Sequence, residues 1–413
     1  MEPDVNAAGI TLTNPLAYTN EDQIQAALRV LRRRAPVHWV ETADYEPFWA
    51  ITRHADVLEV ERNSHIFLNA PRIRLAPKVQ EVGRREQEIG LRTLIHMDDP
   101  EHRKKRAVTA AWFRPAAIRL LSARLADHAK AYLNRMAELD GECDFVRDIT
   151  TPYALDVIMS LLGLPESDLP YLRRLAEELF GGDDSELQRG TSPEARFACL
   201  QEFRAYFTEL AVRRRKQPTD DLASLIANAR VDGELLSEMD VVSYYILIVT
   251  AGHDQNAATI AGGLHALVEL PQEFDRLRRN HALLPSAVDE MIRWVTPTKT
   301  FMRTAARDYE LHGRTIKEGD ALLLCFHSAN RDEEVFDDPF RFDIGRNPNR
   351  HLAFGHGQHS CIGAALALLE IQAFWAELLP RLKFVELTGT RQLTATTFVG
   401  GLKRLPIRYK LRP

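Results

Sequence analysis

Apolar positions recur with a helical period along most of the chain, and strand-like alternation is confined to short runs. Glu21 to Arg33 reads as an amphipathic helix, followed by the strand-like runs VHWVE and FWAITR and a further helix, HADVLEVERNS. Ile66 to Arg92 has no clear period and carries prolines at 71 and 77, which predicts a long loop with one short helix. Pro100 to Leu139 predicts two helices divided at Arg114-Pro115. Helices are then expected over Tyr153–Leu162, Leu169–Phe180, Pro193–Arg215 and Asp221–Ala229. Ser237 to Leu270 is the longest helical reading. It opens SEMD, a serine cap with acids at the positive helix end, and Ala251-Gly252 predicts an interruption. A helix over Pro285–Trp294 is followed by the strand-like pieces YELHG and ALLLCFHS. Cys361 is expected to start a final apolar helix, CIGAALALLEIQAFWAELLP. With no internal repeat or linker in view, the pattern predicts one domain over residues 1–413, mainly α with a small β region.

The bulk numbers narrow the function classes. The 413 residues are 45% hydrophobic, ample for a large buried core. A net charge of −5 carries no basic excess for nucleic acid. Four scattered cysteines with no CxxC suit a reduced compartment better than a disulfide framework. The N-terminus lacks a basic start and apolar run, and YYILIVTAG is too short to span a bilayer. A cytoplasmic protein with no membrane partner is expected.

One stretch, FGHGQHSCIG over residues 354–363, asks what Cys361 binds. A lone cysteine is usually a buried structural residue. Here Gly355, Gly357 and Gly363 free the backbone to approach something large and flat, and a helix start favours thiolate over thiol. A zinc site could use Cys361 with His356 and His359, but no HExxH or CxxC partner is present. A thiol nucleophile needs a base that the sequence does not display. Haem iron needs only one protein ligand on one face, and a thiolate there favours O–O cleavage.

Phe354-Gly355-x-Gly-x-His359-x-Cys361-x-Gly363 resembles the haem-binding loop of the cytochrome P-450 family, with His359 where most members carry arginine. Glu290-Met-Ile-Arg293 resembles the family's ExxR, and Pro339-Phe-Arg341-Phe342 follows in family order. The resemblance spans essentially the whole chain. It implies the family's fold, with haem b between the long central helix and the cysteine-loop helix. It also implies iron ligation by Cys361 and a network of Glu290, Arg293 and Arg341 bracing the cysteine loop. His102, Arg106, Arg303 and His351 match positions that bind haem propionates. In TAGHDQNA, Ala251 and Gly252 would make room for dioxygen, Asp254 would help deliver protons, and Gln255 stands where threonine is expected. A carboxamide donates and accepts hydrogen bonds but does not pass a proton on without an unfavourable tautomer.

By position, Ile66–Ile89 resembles the substrate-recognition loop. Leu247, Ile248, Ala251, Thr296, Thr298, Thr300, Phe398 and Val399 are candidates to line an apolar pocket. The chain shows no flavin, nicotinamide or iron–sulfur motif, so electrons would come from an external ferredoxin and its NAD(P)H-dependent reductase. Arg103, Lys104, Lys105 and Arg114 are a basic group that would suit an acidic ferredoxin. The expected function is O2-dependent hydroxylation of a small-to-medium apolar substrate: a terpenoid, aromatic, alkyl chain or steroid. The alternatives are a peroxide-driven peroxygenase, a haem-binding sensor without turnover, and, more distantly, a zinc-dependent hydrolase.

Overall fold

The structure, a computed structural model, describes residues 3–80, 92–181, 183–190 and 192–412. Helix Glu238–Glu269 is buried along most of its length and is packed by helices Thr151–Leu161, Pro193–Lys216, Leu284–Val295 and Ala364–Arg381. Ser237 caps it, its hydroxyl accepting from the Asp240 amide at 3.1 Å. The helix is continuous through Ala251-Gly252, where the pattern predicts an interruption. Gly252 has a different use. A β-carbon there would lie 2.5 Å from Ile158 Cδ1, so glycine lets two helices approach closely.

The largest sheet has the spatial order Val37–Val40, Phe48–Ile51, Ala321–Cys325, Thr300–Ala305, Phe67–Leu68. Ala321–Cys325 runs parallel to Phe48–Ile51 and antiparallel to Thr300–Ala305, with Leu322 opposite Arg303 and Leu324 opposite Phe301. The amphipathic helix Glu21–Arg34 lays Ile24, Leu28 and Leu31 against this sheet's Phe48, Ala50 and Leu323. The fold is mainly helical with small β-sheets, as the pattern predicts. Of the expected loop Ile66–Arg92, Phe67–Leu68 joins the sheet, while 81–91 lie outside the described residues.

Two details position the site. The last long helix begins at Ala364, so Cys361 precedes it rather than starting it. Helix Leu284–Val295 ends at Thr296, held in the left-handed region at φ 40°. That is an uncommon place for a β-branched residue. It is held by the Thr296 hydroxyl, which donates to the Arg293 carbonyl at 2.7 Å and accepts from Asn330 Nδ2 at 3.0 Å. Thr296 therefore shapes the turn and does not line the pocket.

Candidate active site

A cavity of about 990 Å³ lies between the central helix, the cysteine loop and the strand Thr300–Ala305. Cys361 opens onto it. The loop is fixed by the Cys361 amide donating to the Phe354 carbonyl at 2.7 Å. Gly355 and Gly357 take φ of 64° and 67°, which favours glycine, and a β-carbon at Gly357 would meet the Glu61 carbonyl oxygen at 2.6 Å. The Cys361 sulfur is reachable from the cavity but enclosed by protein on its other sides. Burial pushes its thiol up, against the lowering effects of the Gly363 N–H and Arg106.

Four groups of the expected cofactor set, His102, Arg106, Arg303 and His359, converge on the cavity wall beside Phe354, Gly355 and Gly363. The His102 and His359 rings lie 4.0 Å apart between centroids. Arg106 Nη2 donates to the Ser360 carbonyl at 2.7 Å, and Arg303 Nη2 to Glu61 Oε1 at 2.7 Å. Burial lowers the His102 imidazole, and burial with neighbouring His102 and the two arginines lowers His359 to about 3. Among the described residues His359 Nε2 is buried with no hydrogen-bond partner. A soft sulfur donor beside two guanidinium groups, with an orphaned imidazole nitrogen, suits a flat metal-bearing group carrying carboxylates. His351 departs from expectation: it does not line the cavity. Its ring packs against Phe354 at 5.9 Å, its Nδ1 accepts from the Ala353 amide at 3.3 Å, and burial with Arg293 nearby lowers it to about 4.

The central helix presents Leu247, Ile248, Ala251 and Gln255 to the cavity, three or four residues apart as one helix face requires. Asp254 falls off that face. It does not line the cavity, and burial raises its carboxyl, partly opposed by His253. Gln255 does line the cavity, with its Oε1 buried and without a partner among the described residues. Beside it, Asn256 Nδ2 donates to Glu370 Oε2 at 2.9 Å. Glu370 is fully buried, which holds its carboxyl well above the usual range.

Opposite the helix, Thr298, Phe398 and Val399 line the pocket as expected, with Phe301 edge-on to Phe398 at 5.1 Å. Thr300 does not line it. Strand side chains alternate between faces, so Phe301 and Arg303 point to the cavity while the Thr300 hydroxyl donates to the Thr397 carbonyl at 2.7 Å.

Arg293 meets Glu290 through Nε and Nη2, each at 2.7 Å, and donates to the carbonyls of Asn330, Pro339 and Arg341. The expected third member is corrected. Arg341 is exposed and contributes its carbonyl, while the Arg346 guanidinium reaches Glu290 at 3.2 Å. The adjacent Phe342 is buried. Arg346, Glu61 and the Asn256–Glu370 pair are absent from the sequence-derived site. No motif marks them, and only the fold brings them together. In the basic group, Lys104 pairs with Asp232 at 2.5 Å and Lys105 with Glu101 at 2.8 Å and with Asp240, leaving Arg103 and Arg114 exposed. Among the described residues no three His, Cys, Asp or Glu side chains are placed to hold a metal ion, and no helix is long and apolar enough to cross a membrane.

Comparison with known proteins agrees with this geometry. The cytochrome P-450 family pattern matches residues 194–412. The chain is 40% identical to cytochrome P-450-terp of Pseudomonas sp over 97% of this chain and 96% of that protein. It is 33% identical to linalool 8-monooxygenase of Pseudomonas putida, over 96% of this chain and 98% of that protein. The crystal structure of CYP108D1 from Novosphingobium aromaticivorans superposes with a TM-score of 0.92 at 37% identity, covering 100% of both chains. A sulfur-bearing loop under a long helix, on a chain that aligns from end to end with these enzymes, places it: it belongs to the cytochrome P-450 family and is a haem-thiolate monooxygenase of that family.

Proposed function

We propose that the chain works as one domain that hydroxylates a neutral, small-to-medium apolar substrate, of terpenoid, lipid or steroid kind, with O2 and two electrons from an external ferredoxin and reductase. The observation that carries this reading is the opening of Cys361 onto a cavity lined by Leu247, Ile248, Phe398 and Val399. Relatives named linalool 8-monooxygenase, methyl-branched lipid omega-hydroxylase and steroid C26-monooxygenase support the substrate class.

In this reading Cys361 would ligate the haem through its sulfur, as a thiolate, because a coordinated thiol is deprotonated. Haem held by a thiolate supplies oxygen activation with O–O cleavage. Arg106, Arg303, His102 and His359, which share the cavity wall, would hold its carboxylates. The apolar wall binds the substrate by shape and excludes water. On the rest of the wall Arg189 pairs with Glu178 at 2.7 Å and Arg92 with Glu101 at 2.9 Å, while Arg74 Nη2 donates to Gln80 Oε1 at 3.3 Å, and cations so engaged favour a neutral substrate over an acid. One oxygen atom passes to the substrate and the other leaves as water, consuming two electrons and two protons. Asp254 stores a proton behind the helix, and the Gln255 carboxamide orders hydrogen-bonding groups at the cavity surface. Arg103 and Arg114 are the cations open to an acidic electron donor.

A second reading, peroxide-driven turnover, is favoured by one observation: Gln255 faces the cavity where threonine is expected, and Asp254 does not. Turnover with peroxide alone, set against turnover with ferredoxin, reductase and NAD(P)H, separates the two. A spin-state screen of terpenes, fatty acids and steroids tests the substrate class. Failure of every apolar neutral compound to shift the spectrum contradicts it.

A further inference from the structure

Helix His54–Arg62 delivers a carboxylate to the wall of the cavity between the cysteine loop and the strand that carries Arg303. Glu61 is 4% exposed and each of its oxygens is committed. Oε1 accepts from Arg303 Nη2 at 2.7 Å, and Oε2 accepts from the His356 backbone N–H. The same end of the helix grips the loop twice more. The Glu61 carbonyl lies against Gly357, and the Ser64 hydroxyl donates to Gln358 Oε1 at 2.9 Å. Apart from Cys361, the other ionisable groups on this part of the wall, His102, Arg106, Arg303 and His359, are cationic or imidazole. Asp98, which also faces Arg303, is engaged by the amides of Asn69 and Ala70. Burial raises the Glu61 carboxyl, and Arg303 with the His356 N–H opposes this only in part. Arg303 Nη1 is spent on the Met302 carbonyl at 2.8 Å, and a guanidinium carries five N–H groups, enough to serve a second carboxylate as well.

We propose that Glu61 is a positioning residue of the cofactor slot: it fixes the cysteine loop through the His356 amide, shares Arg303 with a carboxylate of bound haem, and lowers the haem's reduction potential by its fixed negative charge. A buried anion stabilises the oxidised, more positive iron over the reduced one, so its removal raises the potential. This inference rests on the haem-thiolate reading above.

The test uses the full chain loaded with haem, as the parent, Glu61→Gln and Glu61→Ala. The ferric–ferrous midpoint potential is measured by spectroelectrochemistry and haem loss by transfer to apomyoglobin. Glu61→Gln keeps an acceptor and removes the charge, so the potential rises while haem loss stays near the parental rate. Glu61→Ala removes both links, so the potential rises and haem loss quickens by about tenfold or more, the scale of a lost hydrogen bond to a charged group. A potential unmoved or lowered in Glu61→Gln overturns the proposal, as does parental haem loss in a folded Glu61→Ala. If Glu61→Ala does not fold, the Glu61→Gln potential decides alone. A parent whose reduced carbon monoxide complex lacks the thiolate-type absorbance fails the underlying reading instead.

Discussion

Arg293 grips Glu290 with two hydrogen bonds of 2.7 Å, and neither side chain has any exposed surface. The pair braces the segment that leads to the cysteine loop. Glu290 also accepts from the Asp343 amide at 2.9 Å and from Asn349 Nδ2 at 3.2 Å. Every lone pair of a fully buried carboxylate has work, which is how such an ion survives without water.

Removing one partner strands a buried charge. Arg293→Ala should cost about 3–5 kcal/mol in urea unfolding. Arg346→Ala, losing a longer bond from a mostly buried guanidinium, should cost about 1–3 kcal/mol. Arg341→Ala, at an exposed side chain, should stay within about 0.5 kcal/mol. Equal losses from Arg341→Ala and Arg346→Ala would contradict the corrected network.

Asp254 gives a pH signature with a defined sign. Its folded-state carboxyl is raised above 3.8 by burial, so the folded protein holds the proton more tightly than the unfolded chain. Stability contributed by that proton is present at low pH and is lost as pH rises through the raised value. Asp254→Asn removes this dependence. It should melt higher than the parent at neutral pH, with the gap closing below about pH 4. A gap that widens on acidification would show the opposite shift.

Gln255 lines the cavity, and the proposed function gives it a part in proton supply there. A threonine hydroxyl both donates and accepts, and it passes protons more readily than a carboxamide. Gln255→Thr should raise product formed per NAD(P)H consumed and lower peroxide release. Peroxide-only turnover should be weak in the parent. Unchanged coupling, together with robust peroxide-only turnover, would favour the second reading.

Electron delivery should depend on charge in an uneven way. Arg103→Glu and Arg114→Glu should slow ferredoxin-dependent reduction more than Lys104→Glu, because Lys104 already faces Asp232. The parental rate should fall as salt rises, since steering by exposed charges is screened beyond about 8 Å at physiological ionic strength. Three equal effects, or a rate indifferent to salt, would remove the case for docking at this patch.

Much of this was legible in the residues, and the gaps have a common cause. Periodicity and caps place the long helices to within a few residues, with Leu169–Phe180 and the Ser237 cap as clear instances. The motif order places Cys361, His102, Arg106 and Arg303 on one cavity. What a linear motif does not carry is side-chain direction. Thr300 and Arg303 share a strand, and alternation sends them to opposite faces. Asp254 and Gln255 are adjacent, and the helical turn hides one and exposes the other to the cavity. Arg341 and Arg346 sit on one short segment, yet only the Arg346 guanidinium turns inward to Glu290. Glu61 reaches the cysteine loop from far away in the chain, and no spacing rule announces it.

The central claim is that Cys361 is the sulfur ligand of a haem. The purified, folded protein, reduced and exposed to carbon monoxide, should show the red-shifted Soret absorbance of a thiolate complex, and Cys361→Ala should abolish it. A colourless parent, or a thiolate-type band that survives in Cys361→Ala, would contradict the account.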